Sequence, residues 1–131
     1  MNTTDCLKER LYPVKAGRYL IGFSGGAQVA GLVAVRHPER VQKLITIAGV
    51  LDQEAWTEYH GDAPLKKSLN LKDYQNVFKT IPQVHYAGGK DDVVPPKLIQ
   101  DFAGKEAVII VPKAGHGEGF SSVYDDIYGV Q

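Results

Sequence analysis

Three short stretches of the chain hold residues able to trade protons. Gly22-Phe23-Ser24-Gly25-Gly26 fits G-x-S-x-G, the loop from Gly88 to Pro96 (GGKDDVVPP) carries two adjacent carboxylates, and Ala114-Gly115-His116-Gly117 carries an imidazole. A serine hydroxyl is a weak nucleophile at neutral pH unless a histidine takes its proton and a carboxylate orients that histidine. Ser24, His116 and Asp91 supply those groups, and the chemistry they imply is acyl transfer through a serine ester. Loop spacing favours Asp91 over Asp92, which reads as a solvated turn carboxylate, and over Asp52, at the end of an apolar run. The glycines around Ser24 permit a sharp turn that would project the hydroxyl and aim the Gly25 N–H into the same space, where it could hold an oxyanion. Without its partners the same turn would also suit a phosphate at a helix start. The dinucleotide pattern G-x-G-x-x-G and the P-loop Gly-Lys-Ser/Thr are both missing from the chain.

These groups need a scaffold that brings distant segments together. Arg18 to Phe23 (RYLIGF) reads as a short strand, and AQVAGLVAVR carries apolar residues at helical spacing as far as His37-Pro38. Lys43 to Val50 is β-branched and almost continuously apolar, as in a strand covered on both faces of a parallel sheet. The residues from Leu51 to Asn70, the main part of a lid-like excursion over 51–72, are polar with scattered aromatics and read as packed rather than flexible. A helix is expected over LKDYQNVFKT, capped by Asp73 with Tyr74, Val77 and Phe78 on one face. QVHYAGG then gives a strand, residues 97–103 a helix closed by Gly104, Ala107 to Val111 a strand, and a last helix starts near Ser121. A short helix over residues 3–12 precedes them all, with Cys6, Leu7 and Leu11 on one face. The alternation predicts an α/β fold: a parallel sheet of about four strands with helices on both faces, in one domain over residues 1–131. Serine, aspartate and histidine then leave the same carboxyl edge of the sheet, where open α/β folds bind ligands.

The order Ser, Asp, His resembles that of the α/β-hydrolases. LIGFSGGAQVAGLVAVRHPERVQKLITIAG looks like that family's nucleophile strand, elbow helix and next strand, GGKDDVVPP resembles its acid loop, and AGHG its histidine loop. The resemblance covers Arg18 to Phe120 and implies a serine hydrolase of carboxyl esters or related acyl substrates. Ser24 would be the nucleophile, Asp91 the orienting acid, His116 the general base and the Gly25 N–H one oxyanion donor. Phe23, with Trp56, Tyr59 and Leu65 where that family often inserts a lid, would line the acyl pocket. The family's sheet has about eight strands, and a glycine-rich loop ahead of the nucleophile strand gives the second oxyanion donor. Only one short helix precedes Arg18, so the resemblance is to the C-terminal half of the fold, a truncated α/β-hydrolase. RYLIGF then becomes an apolar edge strand, which invites pairing. A second copy of the chain or a missing N-terminal partner is expected to cover it. Weak or lost turnover follows if nothing does, which leaves a non-catalytic, self-associating binding module as the alternative, with a phosphate- or nucleotide-binding domain as another.

Composition narrows the remaining classes. Of 131 residues, 15 are Lys or Arg and 15 Asp or Glu, so zero net charge and no basic cluster argue against nucleic acid or an anionic membrane as partner. The apolar runs are strand-sized, which predicts no membrane span, and the start MNTTDCLKERLY has no signal-peptide pattern, which predicts a cytoplasmic protein. Cys6 is the one cysteine, so neither an intrachain disulfide nor a thiolate metal cluster is expected. His37 reads as a helix end, His85 as strand packing and His60 as a surface residue. No metal and no cofactor are called for by the chemistry above.

Overall fold

In the computed structural model, residues 18–61 and 70–128 are described. The expected helix over residues 3–12, Cys6 and Leu65 lie outside them. Strands β1 (Arg18–Phe23), β2 (Val41–Ile47), β3 (Gln83–Gly88) and β4 (Val108–Val111) form one parallel sheet in the order β1-β2-β3-β4. Phe23 lies beside Ile47, Ile47 beside Tyr86 and Gly88 beside Val111, so the strands' carboxyl ends share one edge.

Strand order dictates the layers. Three successive right-handed crossovers, each to the next strand in the same direction, must all place their helices on one face. That face carries α1 (Gly26–Arg36), α2 (Gln53–Tyr59), α3 (Gln75–Phe78) and α4 (Pro96–Ala103). Ala27, Ala30, Ala34, Leu44, Leu71, Phe78, Ala87, Ile99 and Phe102 make its core. The other face is left to α5 (Ser121–Tyr128), whose Val123 packs with Phe120, Ala114 and Ile47. Helices therefore lie on both faces, as expected, but unequally.

β1 shows the consequence. The Ser24 N–H donates to Ile47 O at 3.0 Å, so strand alternation turns the main-chain groups of Tyr19, Ile21 and Phe23 away from β2. Their side chains are exposed by 53, 37 and 43%. Outward main-chain groups and apolar side chains thus fall on the same three residues, and among the described residues no strand pairs with that side.

Some boundaries differ from the sequence expectation. The strand expected over Lys43 to Val50 runs from Val41 to Ile47, because Ala48, at φ 50°, turns the chain out of the sheet. Ala48 and Val50 are apolar because they are buried, Ala48 with Phe120 and Ala114 and Val50 in the larger core, and the Val50 N–H donates to Ser24 O at 3.0 Å. The excursion contains α2, whose N-cap is Asp52, its Oδ1 accepting from the Ala55 N–H at 3.1 Å. The helix expected after Asn70 is a 3-10 turn, Leu71–Tyr74, running into α3. Asn70 caps it in place of Asp73, and Leu71 and Phe78 are buried while Tyr74 and Val77 are exposed.

One polar chain crosses the larger core. Gln83 donates through Nε2 to the Phe78 and Ile81 carbonyls, which leaves its Oε1 to accept from His85 Nε2–H at 2.7 Å. His85 Nδ1 therefore accepts from the Thr46 hydroxyl, also at 2.7 Å, and the ring stacks on Phe78. Burial lowers the His85 pKa from its ordinary 6.5 to about 4. Between those values the unfolded chain binds the extra proton and the folded one does not, so stability is complete above 6.5 and falls until pH reaches about 4. A gap of roughly 2.5 pH units corresponds to about 3 kcal/mol at most. In urea titrations between pH 7 and 4, wild type should lose more stability than His85→Gln by an amount of that order.

Candidate active site

The serine turn is held by the sheet rather than by its own sequence. Ser24 sits at φ 52°, a left-handed conformation that costs a non-glycine residue about 1 kcal/mol. Its N–H is bonded to Ile47, and its carbonyl accepts from the Val50 and Ala27 N–H groups at 3.0 and 3.1 Å. These bonds offset the strain and fix the hydroxyl above the carboxyl edge. Gly22 makes the approach possible: a Cβ there would lie 2.6 Å from Ala27 Cα and 2.7 Å from Gly26 O. The Gly25 N–H follows the serine at the start of α1, where the helix dipole favours negative charge.

The acid and base loops are stitched to each other. Gly89 N–H donates to Val111 O at 2.8 Å and Lys90 N–H to Ala114 O at 2.9 Å. Gly88 lies under the histidine loop, where a Cβ would meet Gly115 O at 2.5 Å and Ala114 O at 2.6 Å. Asp91 is buried, 4% exposed, whereas Asp92 is exposed. Asp91 Oδ1 accepts from the Val93 and Val94 N–H groups, both at 2.8 Å, leaving Oδ2 for His116 Nδ1 at 3.0 Å. A carboxylate only accepts, so Nδ1 carries the proton and Nε2 is free. Nε2 lies 2.9 Å from Ser24 Oγ, which donates to it. Ser24, His116 and Asp91 are thus joined in one line, and the ring of Phe23 stands 5.5 Å from the imidazole.

The other sequence candidates fall elsewhere. Asp52 caps α2, His37 ends α1, and His85 is in the core. Trp56 is half-buried against the larger core, and its Nε1–H donates to Val93 O at 2.8 Å; Tyr59 is 53% exposed. His60 Nε2 also lies 2.6 Å from Val93 O, a contact that spacing along the chain does not reveal. Among the described residues no group of three or more His, Cys, Asp or Glu could hold a metal, and no helix is long and apolar enough to cross a membrane.

The parallel sheet and its helical crossovers have the α/β-hydrolase fold. An esterase from Pyrococcus furiosus superimposes over 96% of this chain and 56% of its own, with TM-score 0.61 and 16% identity. Est1E from Butyrivibrio proteoclasticus matches 95% of this chain and 65% of its own, at TM-score 0.67 and 16% identity. An α/β hydrolase from a lagoon-sediment metagenome in Morocco matches 95% and 67%, at TM-score 0.62 and 22% identity. The chain spans little more than half of the Pyrococcus esterase. No family model matches the sequence, and no curated protein matches it.

Proposed function

We propose that the chain is the nucleophile-bearing part of a serine hydrolase acting on carboxyl esters or related acyl substrates. The observation that carries this reading is the continuous line from Ser24 Oγ through His116 to Asp91 at the carboxyl edge of the sheet. His116 Nε2 takes the hydroxyl proton as Oγ attacks the acyl carbon, and Asp91 stabilises the imidazolium that forms. The Gly25 N–H donates to the developing oxyanion. Collapse of the tetrahedral intermediate, with the proton passed from His116 to the leaving group, leaves an acyl-Ser24 ester. Water, deprotonated by His116, then releases the acid.

A partner belongs to this proposal. One oxyanion donor is worth about 3 kcal/mol, so a site with only the Gly25 N–H works slowly. A further polypeptide strand seated on β1 would cover Tyr19, Ile21 and Phe23 and could present a second N–H beside Ser24. The competing occupant is a second copy, paired antiparallel so that Ile21 faces Ile21 and Tyr19 faces Phe23; it would match the outward main-chain groups but supply no donor.

Labelling by a fluorophosphonate tests the reading directly. The wild-type chain should take up one phosphonyl group at Ser24, and Ser24→Ala none. Absence of label, with dimers joined through β1 in solution, would replace the hydrolase by a binding module.

A further inference from the structure

We infer that Trp56 and His60 are positioning residues of the triad, and that α2 serves as a brace for the acid loop rather than a wall of the substrate pocket. The inference rests on the hydrolase reading above for its kinetic consequence, but its geometry stands apart from it. The peptide unit joining Val93 to Val94 is gripped at both ends. Its carbonyl accepts from Trp56 Nε1–H at 2.8 Å and from His60 Nε2–H at 2.6 Å, while its N–H donates to Asp91 Oδ1 at 2.8 Å.

Donors on the carbonyl of a peptide polarise it and strengthen the bond made by its N–H. Trp56 of α2 and His60 at its C-cap therefore act on Asp91 through one peptide plane, holding Oδ1 so that Oδ2 stays on His116 Nδ1. Neither ring is loose. Trp56 packs against the core, and the His60 ring makes T-shaped contacts with Trp56 and Tyr59, each with centroids 5.0 Å apart. α2 is itself stiffened by its Asp52 cap and by the Thr57 hydroxyl, which donates to Glu54 O, and Thr57 is buried. A segment that only roofed a pocket would have no use for two donors on one carbonyl of the acid loop.

The test uses Trp56→Phe, which keeps an aromatic ring and removes the N–H, together with His60→Leu and the donor-retaining His60→Gln. Two readouts are taken. The first is the low-field NMR signal of the His116 Nδ1 proton, which needs no turnover. It should move upfield and broaden in Trp56→Phe and His60→Leu, and stay in place in His60→Gln. The second is fluorophosphonate labelling, separated into its maximal rate and its half-saturating concentration. Loss of one donor should slow the maximal rate about five- to tenfold with half-saturation unchanged, and His60→Gln should restore it. A wild-type NMR signal and rate in both donor-less variants would overturn the brace. So would a change confined to half-saturation, the mark of a pocket wall. If Trp56→Phe fails to fold, the exposed His60 pair decides. If wild type takes no label, the hydrolase reading fails and the NMR signal alone decides whether α2 braces Asp91.

Discussion

Asp91→Asn should phosphonylate at Ser24 roughly 10⁴-fold more slowly than wild type while remaining folded, an effect of the size known for wrong-tautomer triads. The reason is a constraint already met at the carboxylate. Two main-chain N–H groups, from Val93 and Val94, point at Oδ1. An asparagine must keep its carbonyl oxygen there, because its NH₂ would face two donors. The NH₂ then points at His116 Nδ1 and donates to it, which forces the ring proton onto Nε2. Nε2 is the atom 2.9 Å from Ser24 Oγ, and once protonated it cannot accept the hydroxyl proton. Labelling rates and a urea midpoint for each protein check both halves of this prediction. A rate within tenfold of wild type would remove Asp91 from the mechanism.

Gly88→Ala should be the most damaging change outside the triad. The new Cβ would lie 2.5 Å from Gly115 O and 2.6 Å from Ala114 O, main-chain atoms that no rotamer change can move. Ordinary contact begins near 3.4 Å, so the histidine loop must retreat by about 0.9 Å. A misplacement near 1 Å can cost about 100-fold in rate, and overpacking a tight site costs about 1–3 kcal/mol. Gly117→Ala is the matched control, since a Cβ there meets nothing within 4 Å. It stands next to His116, yet its labelling rate should stay close to wild type. Equal losses in the two variants would mean that the loop, not its seating on β3, sets the rate.

The parts of the site that could be read from the sequence are those fixed by local chemistry. Glycines flanking Ser24, an apolar strand before it and a helical pattern after it mark a sharp strand-to-helix turn, which the contacts with Ile47 and Val50 then hold. The order of Ser24, Asp91 and His116, each after a strand, places them on one edge once the sheet is parallel. What stayed hidden was set by tertiary contact. The apolar run from Leu44 to Val50 does not show where the strand ends, because Ala48 and Val50 are as deeply buried as the strand itself. Asp52 looks like a possible acid and is a helix cap, since the polar residues after it gave no helical stripe to reveal α2. Trp56 reads as a hydrophobic wall, and only the fold brings its N–H to a carbonyl 37 positions away. Leu71 and Phe78 replace the expected Tyr74, Val77 and Phe78 face because a 3-10 turn shifts the period.

On the proposed hydrolase reading, the attachment of Ser24 through its N–H to Ile47 of β2, and through its carbonyl to Val50 just beyond that strand, ties reactivity to the pairing of β1 with β2. The hydroxyl and its base stand 92 positions apart, and the turn that presents the hydroxyl exists only when β1 and β2 are paired. A chain with that pairing open still contains the serine but holds no strained turn, no aligned imidazole and no nucleophile. The phosphonylated fraction of a preparation should then serve as a census of native molecules, with half-folded chains passing through it silent.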